Sequence, residues 1–165
     1  MRTRNAVGSY GVTDLLLNPV RALSIKWKGP PGPEAGQADI AAVMAGEARK
    51  VSCFLRGSFD PYPRHLKHGA LYVSAEEAHW VPLWSLRRSA LPIGIRARYV
   101  QTRPADHREP NVKQGGIWRD GVKIPVFMVV TCTTEVSDGY GTVEFVVPVA
   151  DAYLVDNYFN GSLSH

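Results

Sequence analysis

The sequence predicts a mostly β domain of six or seven antiparallel strands followed by one C-terminal helix, with an N-terminal arm in front. Three observations predict it. From residue 50 onward the hydrophobic pattern takes a period of two, the spacing of a strand with one buried face. Fifteen glycines and twelve prolines in 165 residues favour many turns and short strands over long helices. Residues 149–159 break that period and place Val149, Ala152, Tyr153 and Phe159 near one helical stripe, closed by Asn160-Gly161 as a helix stop.

The elements follow in order. Residues 1–33 form the arm and its linker. Thr13 or Asp14 can cap a short helix through Leu15-Leu16-Leu17, which Asn18-Pro19 interrupts. Gly29-Pro30-Pro31-Gly32-Pro33 is the strongest punctuation in the chain and separates the arm from a single domain over 34–165. Ile40, Val43 and Met44 sit at helical spacing within 37–48. Strands are expected over 51–56, 69–74 and 78–84, with a Pro-rich loop over 59–67 and Ala75-Glu76-Glu77 as a turn. Ile95 to Gln101 alternates, Ile95, Ala97 and Tyr99 on one side and Arg96 and Arg98 on the other. Residues 102–116 read as a long exposed loop. The run Ile124 to Thr133 is rich in β-branched and aromatic residues and is expected to be one strand buried on both faces. Ser137 to Gly141 is a hairpin connection to a last strand over 142–147.

Composition bounds the class. With 45% hydrophobic and 21% charged residues, the chain has the balance of a globular domain able to bury a core without covalent staples. No stretch of roughly 18 apolar residues offers a membrane span. Cys53 and Cys132 are too few and too distant for a disulfide framework. They read as buried thiols in a reducing, cytoplasmic setting.

Charge is unevenly placed. Residues 49–123 carry fourteen basic and six acidic groups, whereas residues 124–165 carry five acidic and no basic group. A basic middle points to a polyanionic partner or to a solvated Arg-rich face. Arg87, Arg88, Arg96, Arg98, Arg103, Arg108, Lys113, Arg119 and Lys123 make up most of it. Arg suits phosphate because its planar fork donates two hydrogen bonds.

The strand Gly69-Ala70-Leu71-Tyr72-Val73-Ser74, turning into Ala78-His79-Trp80-Val81-Pro82, resembles a hairpin of the pleckstrin-homology and GRAM-like superfold. That resemblance implies an open antiparallel barrel or roll plugged at one end by the final helix. Cys53-Phe54-Leu55-Arg56, Gly69 to Tyr72 and Trp80 to Arg88 also resemble an actinobacterial family of small membrane-anchored proteins that carry such a domain. The resemblance spans roughly residues 50–100 and implies a fold without naming catalytic residues. Lipid-binding members of the superfold hold headgroups with cations around the first hairpin loop. Here that loop carries Glu76 and Glu77.

Candidate chemistry is sparse. His65-x-x-His68 could form half a zinc site, with Cys53 and His79 as conceivable partners, but loop histidines in solvent explain it as well. No nucleophile elbow, His-Glu-x-x-His motif, phosphate-binding loop or dinucleotide fingerprint occurs, so neither a cofactor nor a metal is expected. Cys53 alternates with Val51 and Leu55 on a core face. Trp80 and Trp84 share a strand face, and Trp118, expected in a basic loop beside Arg119, is a candidate interface anchor. The sequence therefore points to a non-enzymatic binding or adaptor module. Its candidate contact residues are Arg87, Arg88, Arg96, Arg98, Arg103, Trp118 and Arg119, with the N-terminal arm as a second sticky element. The expected partner is a protein or a second copy, or anionic lipid headgroups at a membrane periphery. Nucleic acid held by the same basic face is the alternative.

Overall fold

A computed structural model describes residues 33–83, 89–110, 112 and 116–161. The N-terminal arm, Trp84, Arg87, Arg88 and Lys113 lie outside the described residues. The described chain is mostly β: a curled, seven-stranded antiparallel half-barrel with a C-terminal helix.

Helix α1 spans Pro33–Met44, four residues earlier than the 37–48 expected. Proline is tolerated in the first helical turn, where its missing N–H has no partner to lose, so Pro33 belongs to the helix and not to the linker. The helix ends in a Schellman motif, Glu47 N–H to Ala42 O and Gly46 N–H to Val43 O. Val43 and Ile40 pack on the core, while Met44, the third residue of the expected stripe, is exposed.

The strands are β1 (Arg49–Gly57), β2 (Lys67–Val73), β3 (Ala78–Pro82), β4 (Leu91–Pro92), β5 (Tyr99–Pro104), β6 (Gly116–Arg119), β7 (Val122–Pro125), β8 (Phe127–Val136) and β9 (Gly139–Pro148). Helix α2 (Val149–Phe159) follows β9 directly. The main sheet runs β4-β3-β2-β1-β9-β8-β5, and β6-β7 form a separate two-stranded sheet. Two sequence-local meanders are thus joined by one non-local seam, where Phe54 to Gly57 of β1 pair with Val146 to Val143 of β9.

Alternation sorts each strand. Val51, Cys53 and Leu55 of β1, Leu71 and Val73 of β2, Trp80 of β3, and Val143, Phe145 and Val147 of β9 face the main core. Helix α2 fills the concave side. Its Phe159 stacks on Phe145 with ring centroids 4.8 Å apart, and Leu154 and Val155 are buried beside them. Each such side chain contributes roughly 1.5–3 kcal/mol by leaving water.

Three expectations are corrected, beyond shifts of a few residues at the ends of other strands. The alternating run before Gln101 becomes a strand only at Tyr99 and continues to Pro104; Ile95 and Ala97 still pack on the core, but Tyr99 is 58% exposed and Val100 takes the inward position. The run 124–133 splits at Val126 into the end of β7 and the start of β8. Its expected burial on both faces holds within β8: Val130 and Cys132 join the main core, and Val129 packs on the other side with Val146, Val112, Phe54 and Phe127. That second cluster exists because the segment after β5, expected to be an exposed loop, folds over the outer face of β8, β9 and β1.

Gly69 of β2 lies against the buried indole of Trp80. A Cβ there would come within 2.4 Å of both the Trp80 ring and the Val81 carbonyl oxygen. The strand and the ring are both held in the core, so neither can step aside. Gly69→Ala should therefore destabilise the domain by roughly 1–3 kcal/mol, read as a lower urea midpoint with an unchanged slope.

Candidate interaction surfaces

The candidate contact residues fall in three places. At the first, Arg98 lies just before β5 and next to the β8–β9 turn. Its N–H is bonded to the Thr133 carbonyl, which anchors it to β8. Its guanidinium donates to Glu135 Oε1 at 2.6 Å and to the Tyr140 hydroxyl at 2.8 Å, and it sits 5.5 Å from the Tyr140 ring centroid. Tyr99 and Tyr140 are 58% and 62% exposed. An exposed Arg98–Glu135 pair holds little energy of its own, so the guanidinium can exchange partners at small cost.

Arg96 is exposed two residues earlier, its carbonyl accepting from Thr134 Oγ1 at 2.9 Å. It borders a cleft of about 700 Å3 at the end of the half-barrel. The cleft lies between the β2–β3 turn, the Pro92–Ala97 stretch and the C-terminal end of α2. Ile95, Tyr158 and Phe159 supply apolar wall, and Glu76 and Glu77 supply carboxylates. Ser74 Oγ accepts from the Glu77 N–H at 3.2 Å, which holds the turn. Burial, and secondarily the Glu77 charge, push the Tyr158 hydroxyl up from its ordinary value.

At the second place, Arg103 is committed inside the protein. It grips Glu109 with both arms, Nη2 to Oε1 at 2.7 Å and Nη1 to Oε2 at 3.0 Å. Arg56 of β1 adds Nη2 to Glu109 Oε1 at 2.9 Å and pairs through Nε with Glu144 of β9. The Asp106 N–H also donates to Glu109 Oε2, and Arg108 pairs with Asp106. The Glu109 side chain has 0% exposure. Burial pushes its carboxyl up, but the Arg103 hydrogen bonds, the Asp106 N–H and the charges of Arg103 and Arg56 outweigh this and hold it below its ordinary value. Sequence reading missed Glu109. The signal was that it is the only glutamate between Ala78 and Thr134, set among arginines.

At the third place, Trp118 is in strand β6 and not in a loop. The β6–β7 hairpin turns through Asp120 and Gly121, both at positive φ (48° and 78°), the two-residue turn that matches strand twist. Register sets Trp118 opposite Lys123, and Arg119 opposite Val122. Trp118 is 70% exposed and Val122 63%, whereas Trp80 is buried. Arg87 and Arg88 lie outside the described residues, and for Arg119 only the backbone is described.

Among the described residues, the cysteines and histidines do not converge on one site. Cys53 and Cys132 are buried in the main core, and burial pushes both thiols up, Cys132 to about 12. His68 stacks on Phe54 and contacts Ser52 Oγ at 3.2 Å, and His79 stacks on Tyr72; these rings lie on the sheet face opposite Cys53. Burial lowers the His68 pKa, so that ring stays neutral near pH 7. Among the described residues, no three His, Cys, Asp or Glu side chains gather as metal ligands would. Also among them, no helix is long and apolar enough to cross a membrane. Searches of protein-family models and of curated proteins found no match to the chain.

The Glu109 cluster makes two measurable statements. Glu109→Ala leaves Arg56 and Arg103 facing each other half-buried, and should cost roughly 3–5 kcal/mol, read by urea denaturation. The Glu109 carboxyl is held below its ordinary value of 4.5, so its contribution is present above that pH and drains away as pH falls below it. The acid limb of the stability–pH curve should accordingly be flatter in Glu109→Gln than in the parent chain.

Proposed function

We propose that the chain is a non-enzymatic binding module of pleckstrin-homology-like architecture, acting as a cytoplasmic adaptor that docks a protein partner. The observation that carries this reading is the Arg98–Tyr99–Tyr140 surface. Two tyrosines more than half exposed flank an arginine whose present partner is an exposed glutamate. Tyr and Arg are enriched among the residues that dominate binding energy at protein interfaces: Tyr buries a large ring with few rotamers to freeze, and Arg offers a planar fork of donors. The frame beneath is firm: β8 and β9 pair over ten residues, and β5 is fixed on β8.

The architectural part of the reading is supported by strand order. A four-stranded meander and a three-stranded meander join through their first and last strands, and a helix follows at once. The choice of a protein over a phosphate-rich partner rests on the arginines. Arg56, Arg103 and Arg108 already face carboxylates of this chain, so a membrane or nucleic acid would have to compete for them.

Replacing Tyr99 by a benzophenone amino acid tests the surface directly. Irradiation in cells should trap a discrete protein adduct. Arg98→Glu or Tyr140→Ala should weaken it roughly tenfold, as truncation of an interface anchor does. No discrete adduct, or one indifferent to both substitutions, would refute the reading.

A further inference from the structure

We propose that copies of this chain associate head to tail, the β6–β7 hairpin of one seating Trp118 in the cleft of the next. This goes beyond the partner surface at Arg98 and does not depend on it. Two features otherwise lack a use. The hairpin leaves Trp118 70% and Val122 63% exposed, and an exposed indole is a preferred anchor at interfaces. The cleft, at about 700 Å3, is large enough for an indole and has apolar wall at Ile95, Tyr158 and Phe159.

The two features are complementary in charge as well as in shape. Lys123 lies across the ladder from Trp118, on the same hairpin face. Glu76 and Glu77 stand exposed on the cleft wall, beside the α2 C-terminus, whose dipole end also favours a cation. Trp118 on the apolar wall with Lys123 toward Glu76 and Glu77 satisfies both groups. Arg96 on the same wall is positive, so the acidic part of the cleft is confined to the Glu76–Glu77 side.

The two do not meet within one molecule: Trp118 is 70% exposed, and no residue of the hairpin lines the cleft. The hairpin is inserted between Pro104, the end of β5, and Phe127, the start of β8. The cleft borders Ile95 to Ala97, just before β5 begins, and the far end of α2. Strand β5, about 17 Å long at roughly 3.3 Å per residue, lies between the cleft and the point in the chain where the hairpin is inserted. Contact is therefore intermolecular and heterologous. Such contacts propagate into a ring if the rotation closes and into a filament if it does not. The hairpin face is small, so association is concentration-dependent and weak for any one contact.

Sedimentation velocity over a concentration series, on the full chain, tests this. The parent chain should show assemblies larger than a dimer that shrink as it is diluted. Trp118→Ala should raise the concentration needed by roughly tenfold or more. So should Glu76→Lys with Glu77→Lys, and circular dichroism checks that each variant is folded. The decisive arm mixes these two. The Trp118→Ala chain keeps a working cleft and the Glu76→Lys/Glu77→Lys chain keeps a working hairpin. Each alone should be monomeric and the mixture should stop at dimers. Arg98→Glu should assemble as the parent does, which separates this contact from the partner surface. A parent chain monomeric at every concentration would overturn the proposal. So would assembly that survives Trp118→Ala, or a mixture of the two variants that stays monomeric.

Discussion

The structure depends on the pairing of β1 with β9. Every other pairing in the main sheet joins strands that follow one another in the meanders, or follow with only the β6–β7 hairpin between. Only the run Phe54 to Gly57 against Val146 to Val143 ties the first meander to the last, across nearly ninety positions of chain. Closing such a loop costs entropy that nearby contacts must offset. They do so on both faces. Leu55 and Phe145 meet in the main core, and Phe54 and Val146 meet in the outer cluster. Arg56 and Glu144 pair directly across the same seam.

That ion pair extends outward to Glu109, which explains how a segment after a strand edge becomes part of the fold. A carboxylate removed from water needs a full set of donors. Arg103 supplies a fork, Arg56 supplies a third bond, and the Asp106 N–H supplies a fourth. The reward for satisfying Glu109 is that Val112 and Ala105 are held over Val129 and Val146. Much of the basic charge in the middle of the chain thus serves cohesion. Two of the basic residues of this stretch, Arg56 and Arg103, neutralise its buried acid, and Arg108 pairs with Asp106 beside it.

The exposed residues on which the two proposals rest lie toward the two ends of β5. One end carries Arg98, Tyr99 and the Arg96 side of the cleft; the other carries the hairpin. The strand between them is fixed to β8 over six pairs, and Thr102 is bonded to Asp156 of α2. That pairing and that bond fix the Arg98 end of β5 against β8 and α2.

Local patterns alone determined much of this protein. The shift to a period of two marked β1 and β2, the β-branched and aromatic run 124–133 marked β8, the hairpin connection Ser137 to Gly141 marked β9, Asn160-Gly161 marked the end of α2, and alternation placed Cys53 with Val51 and Leu55 in the core. These follow from side-chain direction within one strand or helix, which sequence order sets directly. Tertiary structure decided the rest. Whether Tyr99 or Val100 faces inward depends on where β5 meets β8, and a shift of one residue exchanges the faces. Arg103 reads as a free cation until Glu109 and Arg56 are brought beside it, because they come from another strand and from the segment that folds back. Trp118 reads as a loop residue until the Asp120-Gly121 turn pairs it with Lys123. The cleft is invisible in the sequence altogether. Its walls come from three separated segments, and only the closure of β1 on β9 brings them together.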